Sequence, residues 1–272
     1  INLIDPGNLD PSDITVGQLS RECGRASVEW VTKAAALIKE GKVDAMVTAP
    51  INKNAASLAG YTSVGHMEIL QHLSGAPHVA TMLISGPLRV VHLTTHKPLK
   101  DALKYVKKEL IGEMLELIHT SIEEWGIPSP KIGVASINPH AGDGGLLGTE
   151  EQMEIQPAIE AARNKHINAV GPISSDILFH QAIQGVYDVT LAMYHDQGHI
   201  PIKVHGFERS VSINLGLPFL RTSVEHGTAF DIAGKGIAKN DGLIEAIYLA
   251  VNLLGGKGLT ARCERADAVP VI

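Results

Sequence analysis

Apolar stretches of strand length and amphipathic stretches of helix length take turns along almost the whole chain, separated by Gly, Pro and Asn. That alternation narrows the fold more than any other feature. Ser12 and Asp13 are N-cap residue types, and a helical pattern runs from about residue 16 to residue 40 before Gly41 ends it. Residues 43–48 read as a buried strand and Lys53–Leu58 as a short helix, with Ala49, Pro50 and Asn52 breaking the chain between them. Further strands are expected at 78–84, 88–94, 131–137, 189–193 and 210–214, and helices at 103–125, 150–162 and 241–254. Such alternation implies an α/β fold, a mostly parallel sheet with helices on its faces. Sheets of this kind take ligands at the carboxyl ends of their strands.

Composition bounds the function. With 272 residues, 44% of them hydrophobic, the chain can bury a sizeable core as one large or two smaller α/β domains. The formal net charge is −6 and the basic residues are scattered, which argues against a nucleic-acid partner. No apolar run reaches the roughly 20 residues of a membrane span, and no signal-peptide pattern occurs, so a cytoplasmic protein is expected. Cys23 and Cys263 are too few and too far apart for a disulfide framework or a thiolate zinc site. The first ten residues read as the middle of a domain, and residues before Ile1 are expected.

Thirteen histidines stand against four phenylalanines, and neutral imidazole is the commonest metal ligand. Three of them follow expected strands in polar company: Thr94-Thr95-His96, Asn138-Pro139-His140 and Tyr194-His195-Asp196-Gln197. Three imidazoles from different strand ends would make an open metal site for zinc, manganese, cobalt or magnesium. Sequence order does not show convergence, so three unrelated loop histidines remain the alternative. His92, four before His96, falls on a strand and reads as a core or edge residue. The run Gly142-Asp143-Gly144-Gly145-Leu146-Leu147-Gly148 is either an anion-binding loop or one that needs positive φ beside His140. It is no dinucleotide fingerprint, because Leu147 stands where GxGxxG needs glycine. Lys203, Arg209, Ser212, Asn214 and Arg221 fall on an expected strand and turn, where such cations would bind a carboxylate or phosphate or form a basic surface.

Taken together, the runs Gly65-His66-Met67-Glu68, His92-Leu93-Thr94-Thr95-His96, Asn138-Pro139-His140-Ala141-Gly142-Asp143-Gly144-Gly145, Met193-Tyr194-His195-Asp196-Gln197-Gly198 and the stretch from Leu215 to Thr228 resemble the 4-hydroxythreonine-4-phosphate dehydrogenase family of vitamin B6 biosynthesis. The resemblance implies a fold related to isocitrate and isopropylmalate dehydrogenases, with two α/β domains around a central cleft. Residues 1–62 with 205–272 would form one domain and 63–204 the other. It also implies a homodimer with a shared active site, NAD, and a divalent metal on His96, His140 and His195. Its substrate contacts map to His66, Met67, Lys203, Ser212, Asn214 and Arg221, and an acidic residue near the metal maps to Asp176. Asp176, Asp196 and Lys203 are the candidate proton acceptors; no residue is assigned to NAD.

Three departures matter. Met67 replaces the family's usual Thr; Ser212 and Asn214 stand where Asn and Thr are usual; and the N-terminal GDP-x-G-I-G-P-E segment does not occur in this sequence. The first two favour a substrate with hydroxyl in place of amine, D-threonate or D-erythronate 4-phosphate, over 4-hydroxythreonine 4-phosphate. A dehydrogenase of a cyclic dihydrodiol carboxylate, a metal-dependent hydrolase or lyase, and a catalytically silent binding protein are the alternatives.

Overall fold

Eight strands hydrogen-bond into one sheet, in the order β1-β8-β7-β2-β3-β6-β4-β5. A computed structural model describes residues 2–259; Cys263 lies outside them. In chain order the elements are α1 (Arg21–Lys39), β1 (Ala45–Thr48), α2 (Lys53–Leu58), α3 (His66–Ser74), β2 (Ala80–Ser85), β3 (Leu88–His92), α4 (Leu99–Ala102), α5 (Lys108–Glu124), β4 (Ile132–Ala135), α6 (Gln156–Asn164), β5 (Ala169–Ile173), α7 (Ser175–Ile183), β6 (Val189–Ala192), α8 (His195–Gly206), β7 (Val211–Leu215), β8 (Leu220–Val224) and α9 (Asp241–Leu254). The β3–β6, β6–β4, β4–β5 and β1–β8 pairs are parallel, whereas β8–β7, β7–β2 and β2–β3 are antiparallel. The sheet is therefore mixed, with parallel pairing the more common.

Helices cover both faces, which is why the strands read as unbroken apolar runs. Successive residues enter opposite layers: Met82 and Val91 join α5 and α6 side chains such as Leu115, Ile118 and Ile159, while Leu83 and Val90 join Leu178 of α7 and Ile202 of α8. A third cluster packs Val28, Val31 and Ala35 of α1 against Met46 of β1 and Ile69 and Leu70 of α3. The expected change between 63–204 and 205–272 falls within α8, and β2 and β7, from the two expected parts, pair directly in one sheet, Ala80 to Ile84 with Leu215 to Val211.

Several local expectations need correction. The first long helix begins at Arg21, five residues late, because the Ser20 hydroxyl accepts from the Cys23 N–H; Asp10, not Ser12 or Asp13, caps the short 3-10 turn before it. Lys203 sits on α8 and not on a strand or turn, despite Gly198 and Pro201 in that helix. Arg221 is on its own strand, β8. Strand β5 escaped notice because Gly171 and Pro172 dilute its pattern.

Gly24 marks the closest approach of α1 and α2: a Cβ there would lie 2.0 Å from the Ala55 carbonyl oxygen. Gly24→Ala should therefore lower the unfolding free energy by about 1–3 kcal/mol, measured by urea denaturation.

Candidate active site

The parallel pairing of β3, β6, β4 and β5 puts their carboxyl ends on one edge of the sheet. His96 follows β3, His195 opens α8 after β6, His140 follows β4, and Asp176 lies in the first turn of α7 after β5. Four neighbouring strands thus deliver four chemistry-bearing residues to adjacent loops, the position at which open α/β sheets bind ligands. A cavity of about 360 Å³ opens here, lined by Thr95 to Leu99 and by Tyr194, His195 and Asp196. A larger cavity of about 800 Å³, beside α5, carries Glu113, Glu116 and Glu124 at its wall, which repel an anionic ligand.

The His96 and His195 rings lie 5.8 Å apart between centroids, and the His195 ring stacks on His199, one turn along α8, at 3.6 Å and 11°. Behind them His92 is 3% exposed, so the core reading of that residue holds, and its Nε2 is 3.1 Å from His199 Nδ1. Burial, followed by the neighbouring His195 charge, pulls His199 down to about 4; burial and the Lys53 charge lower His96. These imidazoles are neutral near pH 7, the form that ligates a metal. His195 Nδ1 pairs with Asp196 at 2.7 Å, which leaves Nε2 for a ligand.

Buried Gln197 ties this edge together. Its Oε1 accepts from the Met193 N–H at 2.6 Å, while its Nε2 donates to the Ser136 carbonyl at 2.6 Å and the Ser175 hydroxyl at 2.8 Å. One side chain thereby joins the ends of β6 and β4 to the start of α7. Gly198 follows because a Cβ there would meet His92 Nε2 at 2.3 Å.

His140 stands on a run of five left-handed residues, His140 to Gly144, with φ from 44° to 78°. Buried Glu151 holds the entry to this run, its Oε1 accepting from the Ile137 and Asn138 N–H groups at 2.8 and 2.7 Å. Left-handed His140, Ala141 and Asp143 carry strain of the kind that clusters at functional sites. The positive φ expected of the glycine-rich loop is therefore present. His140 is exposed and does not close on His96 and His195: among the described residues no three His, Cys, Asp or Glu side chains are grouped to hold a metal. Asp176, exposed and hydrogen-bonded by Ser174, is held below the usual carboxylate range, with the His140 charge contributing.

A second group gathers at the β1–β8–β7–β2 end of the sheet. Arg221, 6% exposed, donates to Asn214 Oδ1 at 2.8 Å and Thr48 Oγ1 at 2.6 Å. Asn214 donates to Thr81 Oγ1 at 3.1 Å, and the Thr81 hydroxyl reaches Met67 Sδ at 3.4 Å. Ser212 is buried two residues from Asn214. His66 opens α3 and is driven to about 4 by burial, then by the Arg221 and Lys53 charges. The Lys53 charge lowers His96 as well as His66. Lys203 lies one turn after His199 on α8, where its charge adds to the lowering of that histidine, and its Nζ is 3.2 Å from the Glu225 carboxylate.

The family profile described as pyridoxal phosphate biosynthetic protein PdxA matches residues 1–250. The chain belongs to the PdxA family. It is 47% identical, over 93% of its length and 76% of the relative's, to D-threonate 4-phosphate dehydrogenase of Cupriavidus necator. It is 43% identical to 4-hydroxythreonine-4-phosphate dehydrogenase of Geobacter metallireducens, over 92% and 74% of the two chains. The crystal structure of 4-hydroxythreonine-4-phosphate dehydrogenase from Klebsiella pneumoniae superposes with a TM-score of 0.86 at 42% identity, covering 93% of this chain and 76% of that one. A β-decarboxylating dehydrogenase from Thermococcus kodakarensis, 18% identical over 84% of this chain and 70% of that one, shares the fold alone, at a TM-score of 0.51.

In this PdxA-family chain, sequence reasoning missed Thr48, Lys53, Thr81, Glu151, Gln197 and His199. Their sequence signals were ordinary: strand pairing gives Thr48 and Thr81 their partners, while Lys53, Glu151, Gln197 and His199 act from helices and turns beside the strand ends. Gln197 alone had a visible cue, its place directly after His195-Asp196.

The half-buried His66 gives a pH dependence. Its folded pKa of about 4 lies below the usual 6.5, so between these values the unfolded chain binds more protons and stability rises with pH. His92 and His199 act with the same sign. Urea unfolding at pH 4.5 and pH 7 should show lower stability at the acid value, and His66→Asn should shrink that difference.

Proposed function

We propose that this protein is an NAD-dependent, divalent-metal-dependent dehydrogenase of a four-carbon 4-phosphorylated hydroxy acid, with D-threonate or D-erythronate 4-phosphate the favoured substrate. The observations that carry the reading are the convergence of His96 and His195 at adjacent strand ends, with ring centroids 5.8 Å apart, and a buried Arg221 whose described partners are uncharged. Such a site offers metal ligands at one side and an anion receptor at the other.

The donor set fits a borderline divalent cation. His96, His195 and His140 would hold it, with Asp196 on His195 Nδ1 as the outer carboxylate. When bound, the metal supplies Lewis acidity toward the reacting oxygen, and NAD supplies the hydride acceptor. The chain's own part is to bind the phosphate and accept a proton. Arg221 is the phosphate receptor. Asp176 is the foremost proton acceptor because it is exposed and ionised, while Asp196 is engaged by His195 and Lys203 by Glu225. Oxidation of the alcohol next to the carboxyl-bearing carbon leaves a β-keto acid, which can lose carbon dioxide. In this reading residues 1–62 with 205–272 and residues 63–204 form two domains that meet at the β7–β2 seam.

Two observations favour the tetronates. Met67 brings no hydroxyl to the site and its sulfur accepts from Thr81, and a D-threonate 4-phosphate dehydrogenase is 47% identical to this chain. The second reading, 4-hydroxythreonine 4-phosphate oxidation, draws on the Geobacter relative and the Klebsiella structure. A screen of NAD reduction with phosphorylated and unphosphorylated four-carbon acids, with added divalent metals, separates them. The tetronate phosphates should turn over at least as well as the amine-bearing substrate; a preference for the latter of about a hundredfold in kcat/KM reverses the assignment. His96→Ala, His140→Ala and His195→Ala should each lose metal by elemental analysis while remaining folded by circular dichroism.

A homodimer with shared sites belongs to the same reading, as the family resemblance implies. Light scattering at micromolar concentration should give twice the chain mass; a fully active monomer contradicts it.

A further inference from the structure

Arg221 is buried against neutral groups only. A guanidinium has five N–H donors, and here one goes to Asn214 Oδ1 and one to Thr48 Oγ1. Its Nε is buried without a partner. Among the described residues no carboxylate pairs with it. Burying a cation unpaired is costly, and an Asp at 214 would occupy nearly the same volume as the amide while supplying the missing charge.

The two neutral partners are themselves fixed. Asn214 faces Thr81 across the β7–β2 pair and Arg221 across the β7–β8 pair, and its Nδ2 donates to Thr81 Oγ1 at 3.1 Å and to the Ala80 carbonyl at 3.4 Å. Thr48 donates to Ser223 Oγ at 2.9 Å. The Asn214 amide is therefore committed on both sides to the protein, which sets it apart from a side chain waiting for substrate.

We infer that Asn214 and Thr48 form a neutral clamp, which aims the Arg221 fork while leaving its whole charge for the phosphate group of the ligand. Asn214 is then a positioning residue that acts through Arg221. Its amide matters because it holds without neutralising: a charged acceptor would satisfy Arg221 permanently and compete with the ligand. Burial pulls Arg221 only to about 10, so the fork stays cationic at neutral pH. The inference rests on the phosphorylated-substrate reading above and assigns to Asn214 a task other than contact with carbon 2.

Calorimetric titration of the full-length protein with inorganic phosphate, beside thermal melts without phosphate, tests the clamp. Asn214→Asp should weaken phosphate binding roughly tenfold or more, the worth of a charge-assisted contact, and should raise Tm because the buried cation gains a counter-ion. Thr48→Asp, which brings the same charge from β1, should also weaken phosphate binding and serves if the first variant fails to fold. Asn214→Thr keeps the site neutral but loosens the hold on Arg221, and should weaken phosphate binding less than Asn214→Asp does. In turnover, Asn214→Asp should raise KM much more than it lowers kcat. A merely structural asparagine predicts unchanged phosphate affinity in Asn214→Asp, and that result, or a wild-type protein that binds no phosphate, overturns the clamp. Because phosphate titration needs neither NAD nor turnover, the two ideas fail separately: if no four-carbon acid is oxidised yet the charge variants lose phosphate, only the substrate reading falls.

Discussion

The parallel pairing of β3, β6, β4 and β5 is the constraint on which the rest of the site depends. Parallel neighbours end on the same edge, so the loops after them are forced side by side, whatever their lengths in sequence. Residues 96, 140, 176 and 195 are scattered over a hundred positions, yet all leave that one edge. The strands hold register because both faces are buried under helices. A slip of one residue would exchange the Met82 and Val91 layer with the Leu83 and Val90 layer.

On that rigid edge the loops are tied by hydrogen bonds to buried side chains. Gln197 reaches three segments at once, and Glu151 holds the entry to the left-handed turn of His140. A buried side chain that satisfies several backbone groups fixes geometry without relying on hydrophobic contact, which is non-directional. The strain at His140, Ala141 and Asp143 persists because this frame over-determines the backbone.

The opposite end of the sheet uses a different device. A cross-strand row of Thr81, Asn214 and Arg221, continued by Thr48 and Ser223, carries polar groups through the interior with neutral partners. Both ends keep charge in reserve: the imidazoles stay neutral through burial and mutual repulsion, while the guanidinium stays charged through its neutral partners. The Lys53 charge lowers both His66 and His96, one histidine from each group.

The sequence alone determined the α/β class, because helix and strand periodicities differ and alternate visibly, and it marked His96, His140 and His195 by their places after apolar runs. Its runs of residues also carried the family likeness that the PdxA profile bears out. It did not reveal α3, α4, β5, α7, α8 or β8, most of them short or interrupted by Gly, Pro and polar residues, nor that Lys203 lies on a helix with Glu225 as partner. What only the tertiary structure decided is which side chains meet. Asn214 read alone is a polar residue on a strand; that it grips Arg221 follows from the antiparallel β7–β8 register, which sets residues 214 and 221 opposite one another. Hydrogen-bond partners over long sequence distances are fixed by strand order, and strand order is a property of the whole buried sheet, which no local stretch encodes.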